Sequence, residues 1–568
     1  VTEFDFSKKR FNFVVGVLGT FFLVLLSRLF LLQVINHSKY SDLAQNQYID
    51  KETLITPRGK IYASDYFGSD IFVPIATNKT VYSLLVVPKN VSDAEETSRK
   101  LAPYINLSQS EIYQKINNDK LYIPPLQNKI DKDTANDIRK LELSGVLLIP
   151  VIERYYPEQS LASHVLGYVD AEGNGQYGIE DYYDNELKGL PKTIFATRDT
   201  IGRYIDIVRQ EQSTATKDIY LTIDRSVQYY VETRLKKAVE ELNAQSGSVV
   251  VMDPNTGAII AMANYPTFDP NRYSKTKSIS LFNNLSINAL YEPGSIFKPF
   301  VVAAALEEDR VEPETSGVFG KSVQIGSYTI STSTGRAYGR ETIGQILEHS
   351  DNVGMVYIGK ELGEKNLDKY LNKFGFRDKT GIDLISETKS DVLDFSDWRE
   401  INAATMTFGQ GIALTPLQLV TAIASVANGG TLYQPYTVDK IVSDGTVVTQ
   451  TKPKSIRQTI SLNTAQQLTT MLVGVVNRGF GSTAGVQGYD IAGKTGTAQI
   501  PNPKGRGYLE DKNIVSFLGY APAKEPKFAM IVKLDSPSGL PWAESTAAPV
   551  FGDIASWLLS YMQIAPTK

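Results

Sequence analysis

The chain has 568 residues, with 58 Lys or Arg against 62 Asp or Glu and a formal net charge of −4, a balance unlike that of a nucleic-acid binder, which is ordinarily basic. Its 42% hydrophobic content with 31 Tyr and 23 Phe can fill real cores and excludes global disorder, and the length predicts two to four domains. No Cys and only three His (His37, His164, His349) exclude disulfides, thiolate metal sites and thiol nucleophiles, and leave few ligands for a zinc site or a Ser-His-Asp triad.

Residues 11–35 form one apolar run interrupted by Arg28. Read as a helix, the run is long enough to cross a hydrocarbon core of roughly 30 Å, with Arg28 near one end where it can snorkel. Lys8, Lys9 and Arg10 precede it, which by the positive-inside rule keeps the N-terminus cytoplasmic and exports the rest. No small-x-small cleavage site follows, so an uncleaved anchor is expected rather than a removed signal peptide. Residues 37–48 are expected to extend this helix.

Thr56-Pro57-Arg58-Gly59-Lys60 reads as a turn into a short strand. Residues 70–210 are mixed, with β-type runs at 82–87 and 146–152 and helical stretches at 92–101 and 132–143. From 217 the pattern is clearer: a strand over 219–224, a helix over 225–243 with apolar residues at helical spacing, and strands over 248–253 and 258–263 joined by Pro254-Asn255-Thr256-Gly257, good hairpin chemistry. Strands are expected again at 494–500, 514–521 and 528–534, then a helix over 548–562. Strands at both ends with helices between predict one α/β (α+β) domain on an antiparallel sheet. The expected division is a cytoplasmic tail (1–10), a transmembrane anchor (11–36), a pedestal (37–216) and a catalytic domain (217–568).

Three short patterns carry the chemistry. Ser295-Ile296-Phe297-Lys298 opens a helical run at 300–306. A serine at a helix start lies near backbone donors and the positive end of the dipole. Lys298, on the same face, can reach the serine oxygen, and burial beside a second cation would depress its pKa enough to take the proton. Ser350-Asp351-Asn352 sits between helical segments 343–348 and 353–362, where a hydroxyl and an amide could relay a proton and bind a peptide. Lys494-Thr495-Gly496-Thr497 begins a strand: Gly496 admits another backbone, Lys494 supplies a cation, and Thr495 and Thr497 can bind a carboxylate. Each pattern alone recurs elsewhere, at Ser274 to Lys277, Ser386 to Lys389, Ser286-Ile287-Asn288, Ser461-Leu462-Asn463 and Lys379-Thr380-Gly381, sites read as surface or structural. The order S-x-x-K, S-D-N, K-T-G, each in a fitting context, marks penicillin-interacting serine enzymes. His349 abuts the second pattern and is read as packing or surface.

With these motifs the chain resembles the class B penicillin-binding proteins, most of all the division-type transpeptidases (FtsI and its relatives). Also similar are the basic start and single span, Pro57-Arg58-Gly59, Arg154 with Pro157 and Gly167, and Gly175-x-x-Gly178-Ile179-Glu180. Farther on, Leu221-Thr222-Ile223-Asp224, the stretch from Pro266 to Asn271 and Gly409-Gln410-Gly411-Ile412 match too. The resemblance implies a penicillin-binding serine transpeptidase fold on a mixed, dimerisation-type pedestal. Ser295 would attack the carbonyl between two D-alanines of a peptidoglycan stem peptide, Lys298 would be the base, and Ser350 would pass the proton to the leaving D-alanine. Asn352 would hold the donor backbone, Lys494 would support the electrostatics, and Thr495 and Thr497, around Gly496, would bind the terminal carboxylate. Backbone N–H groups of Ser295 and Thr497 would form the oxyanion hole. An acceptor amine from a neighbouring stem would resolve the acyl-enzyme, β-lactams would acylate Ser295, and no metal or cofactor is required. An FtsW-type glycan polymerase and division proteins are the implied partners, and the C-terminal PASTA modules of some relatives are not expected. Against this reading stand an elongation-type transpeptidase, a β-lactamase, a carboxypeptidase or endopeptidase that uses water, and an inert division scaffold; a bifunctional glycosyltransferase and a β-lactam-sensing receptor, which need further domains, are not expected.

Overall fold

A computed structural model of the chain describes residues 3–40, 49–54, 57–65, 70–189, 192–198, 204–210, 216–502, 505, 507–539 and 542–566, in two compact units. In the smaller unit, helix Glu3–Phe30 passes into a π-helical turn, Leu31–Ile35. The stretch Lys8–Ile35 contains an 18-residue window of mean hydropathy 2.3 and is long and apolar enough to cross a membrane. The expected extension is broken at Asn36, whose amide closes the π turn onto Leu31; residues 37–40 are helical again, and 41–48 lie outside the described residues. The same unit holds a three-stranded antiparallel sheet in which Lys192–Arg198 lies between Ile49–Leu54 and Tyr204–Gln210.

The larger unit contains two major sheets. In the first, Lys217–Asp224 runs parallel to Ile61–Ser64 and antiparallel to Val438–Ser443. Chain segments from both sides of residue 217 therefore share one sheet. Ile61–Ser64 pairs in turn with Phe72–Val86, a 15-residue strand that continues alongside Val146–Tyr155. Helices Ala94–Leu101, Gln109–Ile116 and Lys132–Lys140 cover its far end through Leu101, Ile112 and Ile138, packed on Leu84 and Val86.

The second sheet is wholly antiparallel, in the order Ile259–Tyr265, Ser246–Met252, Phe528–Asp535, Tyr508–Ala521 and Ala492–Pro501. Successive strand residues face opposite sides. Val249 and Val251 meet Val231 and Leu235 of helix Arg225–Glu241 and Phe551 and Leu558 of helix Ala547–Tyr561. Val250 and Met252 face the other core, built from helices Lys298–Glu307, Pro416–Ala427 and Leu462–Arg478. The result is the expected α+β arrangement, an antiparallel sheet between helical layers, with Ala492–Pro501 as an outer strand.

Candidate active site

Ser295 sits in a 3₁₀ turn, Gly294–Phe297, that feeds directly into helix Lys298–Glu307. Pro299 at the second helical position suits a first turn, where its missing N–H is no loss. The helix is apolar all round and buried from Lys298 to Leu306, as expected of a core helix. That burial sets the state of Lys298, which has no exposed surface. Its Nζ lies 2.6 Å from the Ser350 carbonyl, 2.8 Å from Asn352 Oδ1 and 3.2 Å from Ser350 Oγ. Burial, and then the neighbouring charge of Lys494, hold its pKa well below the usual lysine value against the opposing pull of Asp351 and Glu341.

Ser350 adopts φ +56° at the junction of two helices, the left-handed conformation common just past a helix C-terminus. Asp351 then caps helix Asn352–Leu362 by accepting from Val353 N (2.9 Å) and Gly354 N (3.1 Å). Asn352 Nδ2 donates to the Ser331 carbonyl at 3.1 Å, which leaves Oδ1 facing Lys298. His349 stacks on Tyr338 and bonds Glu341; it packs behind the turn, as the sequence reading has it.

Lys494, Thr495, Gly496 and Thr497 lie on the outer strand. A Cβ on Gly496 would come within 2.8 Å of Ile296 Cγ2 and Ser516 Oγ and 3.0 Å of the Pro293 carbonyl; glycine lets this strand lie against the Ser295 turn. Gly294, at φ +58°, also lies against this strand, where a Cβ would come 3.0 Å from the Thr497 carbonyl oxygen, and a Cβ on Gly409, at φ +79°, would sit 2.2 Å from the Gly294 carbonyl oxygen. Lys494 is buried, its Nζ 3.2 Å from both the carbonyl and Oγ1 of Thr495. Burial lowers its pKa to about 7, with Glu544 pulling the other way.

The three motifs thus converge on one cleft of about 290 Å³, lined by Ser295, Ser350, Asn352, Thr495 and Thr497, with Lys298 and Lys494 buried beneath its wall. Among the described residues Ser295 Oγ has no hydrogen-bond partner, while Lys298, which the spacing puts within reach of it, is held by Ser350 and Asn352. Phe408, Gln410, Ser333, Thr334 and Trp542 also line the cleft and were not among the residues singled out for chemistry. Gln410 lies inside the G-Q-G pattern already noted, whereas Ser333 and Trp542 carry no sequence signal.

The decoys are structural. Ser461 caps helix Leu462–Arg478, and Ser286 bonds Asn264 inside the core. Ser274 and Lys277 are exposed. The two remaining decoys account for each other: Thr380 N and Gly381 N donate to buried Glu387, inside the Ser386 to Lys389 stretch, at 2.6 and 3.0 Å.

A helix-sheet-helix sandwich with a serine heading a buried helix, a lysine one turn on and a K-T-G outer strand defines the class of penicillin-recognising serine enzymes. The comparisons with known proteins agree. Residues 247–556 match the family model for the penicillin binding protein transpeptidase domain, and residues 53–221 that for the penicillin-binding protein dimerisation domain. Stage V sporulation protein D of Bacillus subtilis is 34% identical over 99% of this chain and 87% of its own length. Peptidoglycan D,D-transpeptidase FtsI of Escherichia coli is 31% identical over 99% and 93%. The crystal structure of penicillin binding protein 3 from Mycobacterium tuberculosis, complexed with aztreonam, superposes with TM-score 0.71 at 26% identity, covering 91% of this chain and 98% of that one. This chain belongs to the class B penicillin-binding protein D,D-transpeptidase family.

Proposed function

We propose that the protein crosslinks peptidoglycan stem peptides through a serine acyl-enzyme. The observation that carries this reading is the buried lysine. Neutral Lys298 has two N–H bonds and one lone pair, which its three contacts can use: the N–H bonds donate to the Ser350 carbonyl and Asn352 Oδ1, and the lone pair accepts from Ser350 Oγ–H. A neutral lysine is a base. On substrate binding it takes the Ser295 hydroxyl proton as Oγ attacks the carbonyl between the two D-alanines. Backbone N–H groups of Ser295 and Thr497 receive the oxyanion. The C–N bond then breaks, and the proton leaves through Ser350 to the departing D-alanine nitrogen. Asn352 holds the donor backbone, and Thr495 and Thr497 beside Lys494 hold its terminal carboxylate. An acceptor amine from a second stem attacks the acyl-enzyme, forming the crosslink and releasing Ser295. β-Lactams acylate the same serine and stall there.

Lys8, Lys9 and Arg10 before the apolar helix support a single-pass inner-membrane protein with its N-terminus inside and its catalytic domain outside. On this reading residues 37–216 form the pedestal and 217–568 the catalytic domain. FtsI-type relatives support a septal role with an FtsW-type polymerase and division proteins as partners. Exchanging the span for an unrelated one should weaken polymerase association while acylation persists; unchanged association would remove the span from that contact.

Incubation with a fluorescent penicillin, beside a folded Ser295→Ala variant, tests the chemistry. Stable label on the parent alone is expected. Equal label on both would remove Ser295 as the nucleophile, and rapid turnover of the penicillin would point to a β-lactamase instead.

A further inference from the structure

Behind the Ser350 turn lies a second polar group that the mechanism above does not use. Glu341, on strand Gly339–Thr342, is 1% exposed. Its Oε1 lies 2.5 Å from His349 Nδ1. Its Oε2 is buried and has no hydrogen-bond donor among the described residues. The carboxyl that acts on Glu341 from close by is Asp351, itself buried. Both Asp351 oxygens already accept from backbone N–H groups, of Val353 and Gly354.

An orphaned buried carboxylate oxygen beside a second carboxylate is costly unless a proton lies between them. One arrangement satisfies every atom: His349 Nδ1–H donates to Glu341 Oε1, Glu341 Oε2–H donates to Asp351, and Asp351 accepts from the helix it caps. We infer that Glu341 is a neutral acid bridging His349 to Asp351, and that this bridge is a positioning element holding the Ser350 turn against Lys298. The assignment rests on the proposed serine chemistry for its functional part only.

The surroundings support a neutral Glu341. Burial, followed by the Asp351 charge, raises its pKa, against the opposing effect of His349. The charged groups facing the bridge are few. Lys298 approaches from the nucleophile helix and feels both carboxyls. Arg340, next on the strand, bonds Ser316 instead, and Glu348 is paired with Arg478. The stack on Tyr338, with ring centroids 4.8 Å apart and planes 8° apart, fixes the imidazole so that Nδ1 meets Glu341. Ser350, whose left-handed backbone needs support from its surroundings, lies between His349 and Asp351. Both neighbours of the proton-relaying serine are thus tied to one carboxyl.

Glutamine at 341 is the discriminating substitution, because its amide can accept from His349 and donate to Asp351 as a neutral acid does. Acylation by a fluorescent penicillin should stay within about threefold of the parent in Glu341→Gln and fall by more than about tenfold in Glu341→Ala at matched melting temperature, since lost positioning is expensive in rate. If Glu341→Ala does not fold, His349→Phe keeps the ring on Tyr338 but removes the N–H, and a several-fold loss is expected. Infrared difference spectra in H₂O and D₂O give a readout independent of activity: a protonated-carboxyl carbonyl band in the parent, missing from Glu341→Gln. Glu341→Gln as impaired as Glu341→Ala, or no such band, would overturn the neutral acid. Parent-like acylation in both Glu341→Ala and His349→Phe would overturn the positioning role. A parent that fails to acylate Ser295 would overturn the proposed chemistry and with it that role, while the infrared band would still decide the state of Glu341.

Discussion

Arg58 and Arg154 are buried against carboxylates, whereas Lys298 and Lys494 are buried against hydroxyls, an amide and carbonyls. Arg58 reaches Glu180 at 2.6 Å and Asp184 at 2.7 Å, and Arg154 reaches the other Glu180 oxygen at 2.7 Å. Burial alone would lower the Arg58 pKa, but the Glu180 and Asp184 carboxylates more than offset it and the net shift is upward. Among the described residues of the cleft no carboxylate hydrogen-bonds either lysine, and both pKa values fall. The same physical situation, a buried cation, is met once by pairing and once by a depressed pKa. The first ties together three distant segments, Pro57-Arg58-Gly59, Arg154 and Gly175 to Glu180. The second would supply the base of the proposed mechanism.

Breaking each arrangement should therefore have a different consequence. Lys298→Met should leave the fold intact and lower acylation of Ser295 by about 10³-fold, in the range of a lost general base; stopped-flow acylation and a melting curve separate the two. Glu180→Gln should do the reverse. It leaves buried Arg154 without a carboxylate and Arg58 with Asp184 alone, and denaturant unfolding should show a loss of about 3–5 kcal/mol, with the folded fraction still acylating at the parent rate. Gly409→Ala lies between: the added Cβ meets the Gly294 carbonyl at a positive φ, so the Ser295 turn shifts and acylation falls by about 10²-fold.

Lys494→Met sharpens the contrast through stability. The pKa of Lys494 falls from 10.5 to about 7 on folding. Between those values the unfolded chain holds a proton that the folded chain does not, so this group makes stability rise with pH across that window. Below about pH 7 the cost of charging it in the core is felt in full. Lys494→Met should accordingly stabilise the protein by on the order of 1–2 kcal/mol at neutral pH and below, the gain shrinking toward pH 10.5, while acylation falls. Lys389→Ala, in the exposed S-x-x-K decoy, should change stability by less than about 0.5 kcal/mol and leave acylation unaltered.

Much of this was legible in local sequence. The hairpin from Ser246–Met252 to Ile259–Tyr265, the last three strands and the final helix follow from turn residues and periodicity. The S-x-x-K and S-D-N patterns keep their spacing because each lies at a helix start, and K-T-G because strand alternation fixes its faces. What escaped is non-local. Nothing in Lys217–Asp224 announces Ile61–Ser64 as its parallel neighbour, nor does Phe72–Val86 advertise its full length, because proline and polar residues interrupt its alternation. Trp542 and Ser333 reach the cleft through tertiary packing alone. The bonds of Lys298 to Ser350 and Asn352 depend on a left-handed turn at Ser350, a residue that usually avoids it. Glu341, a strand glutamate beside Arg340, looks like a surface charge until the fold buries it.

The most direct measurement is the rate of Ser295 acylation by a penicillin as a function of pH. Activation by a buried neutral Lys298 requires the rate to rise only until that lysine is deprotonated and to level off well below 10.5, the ordinary lysine value. A rate that keeps climbing through neutral pH until about 10.5, as for a lysine in water, would contradict it.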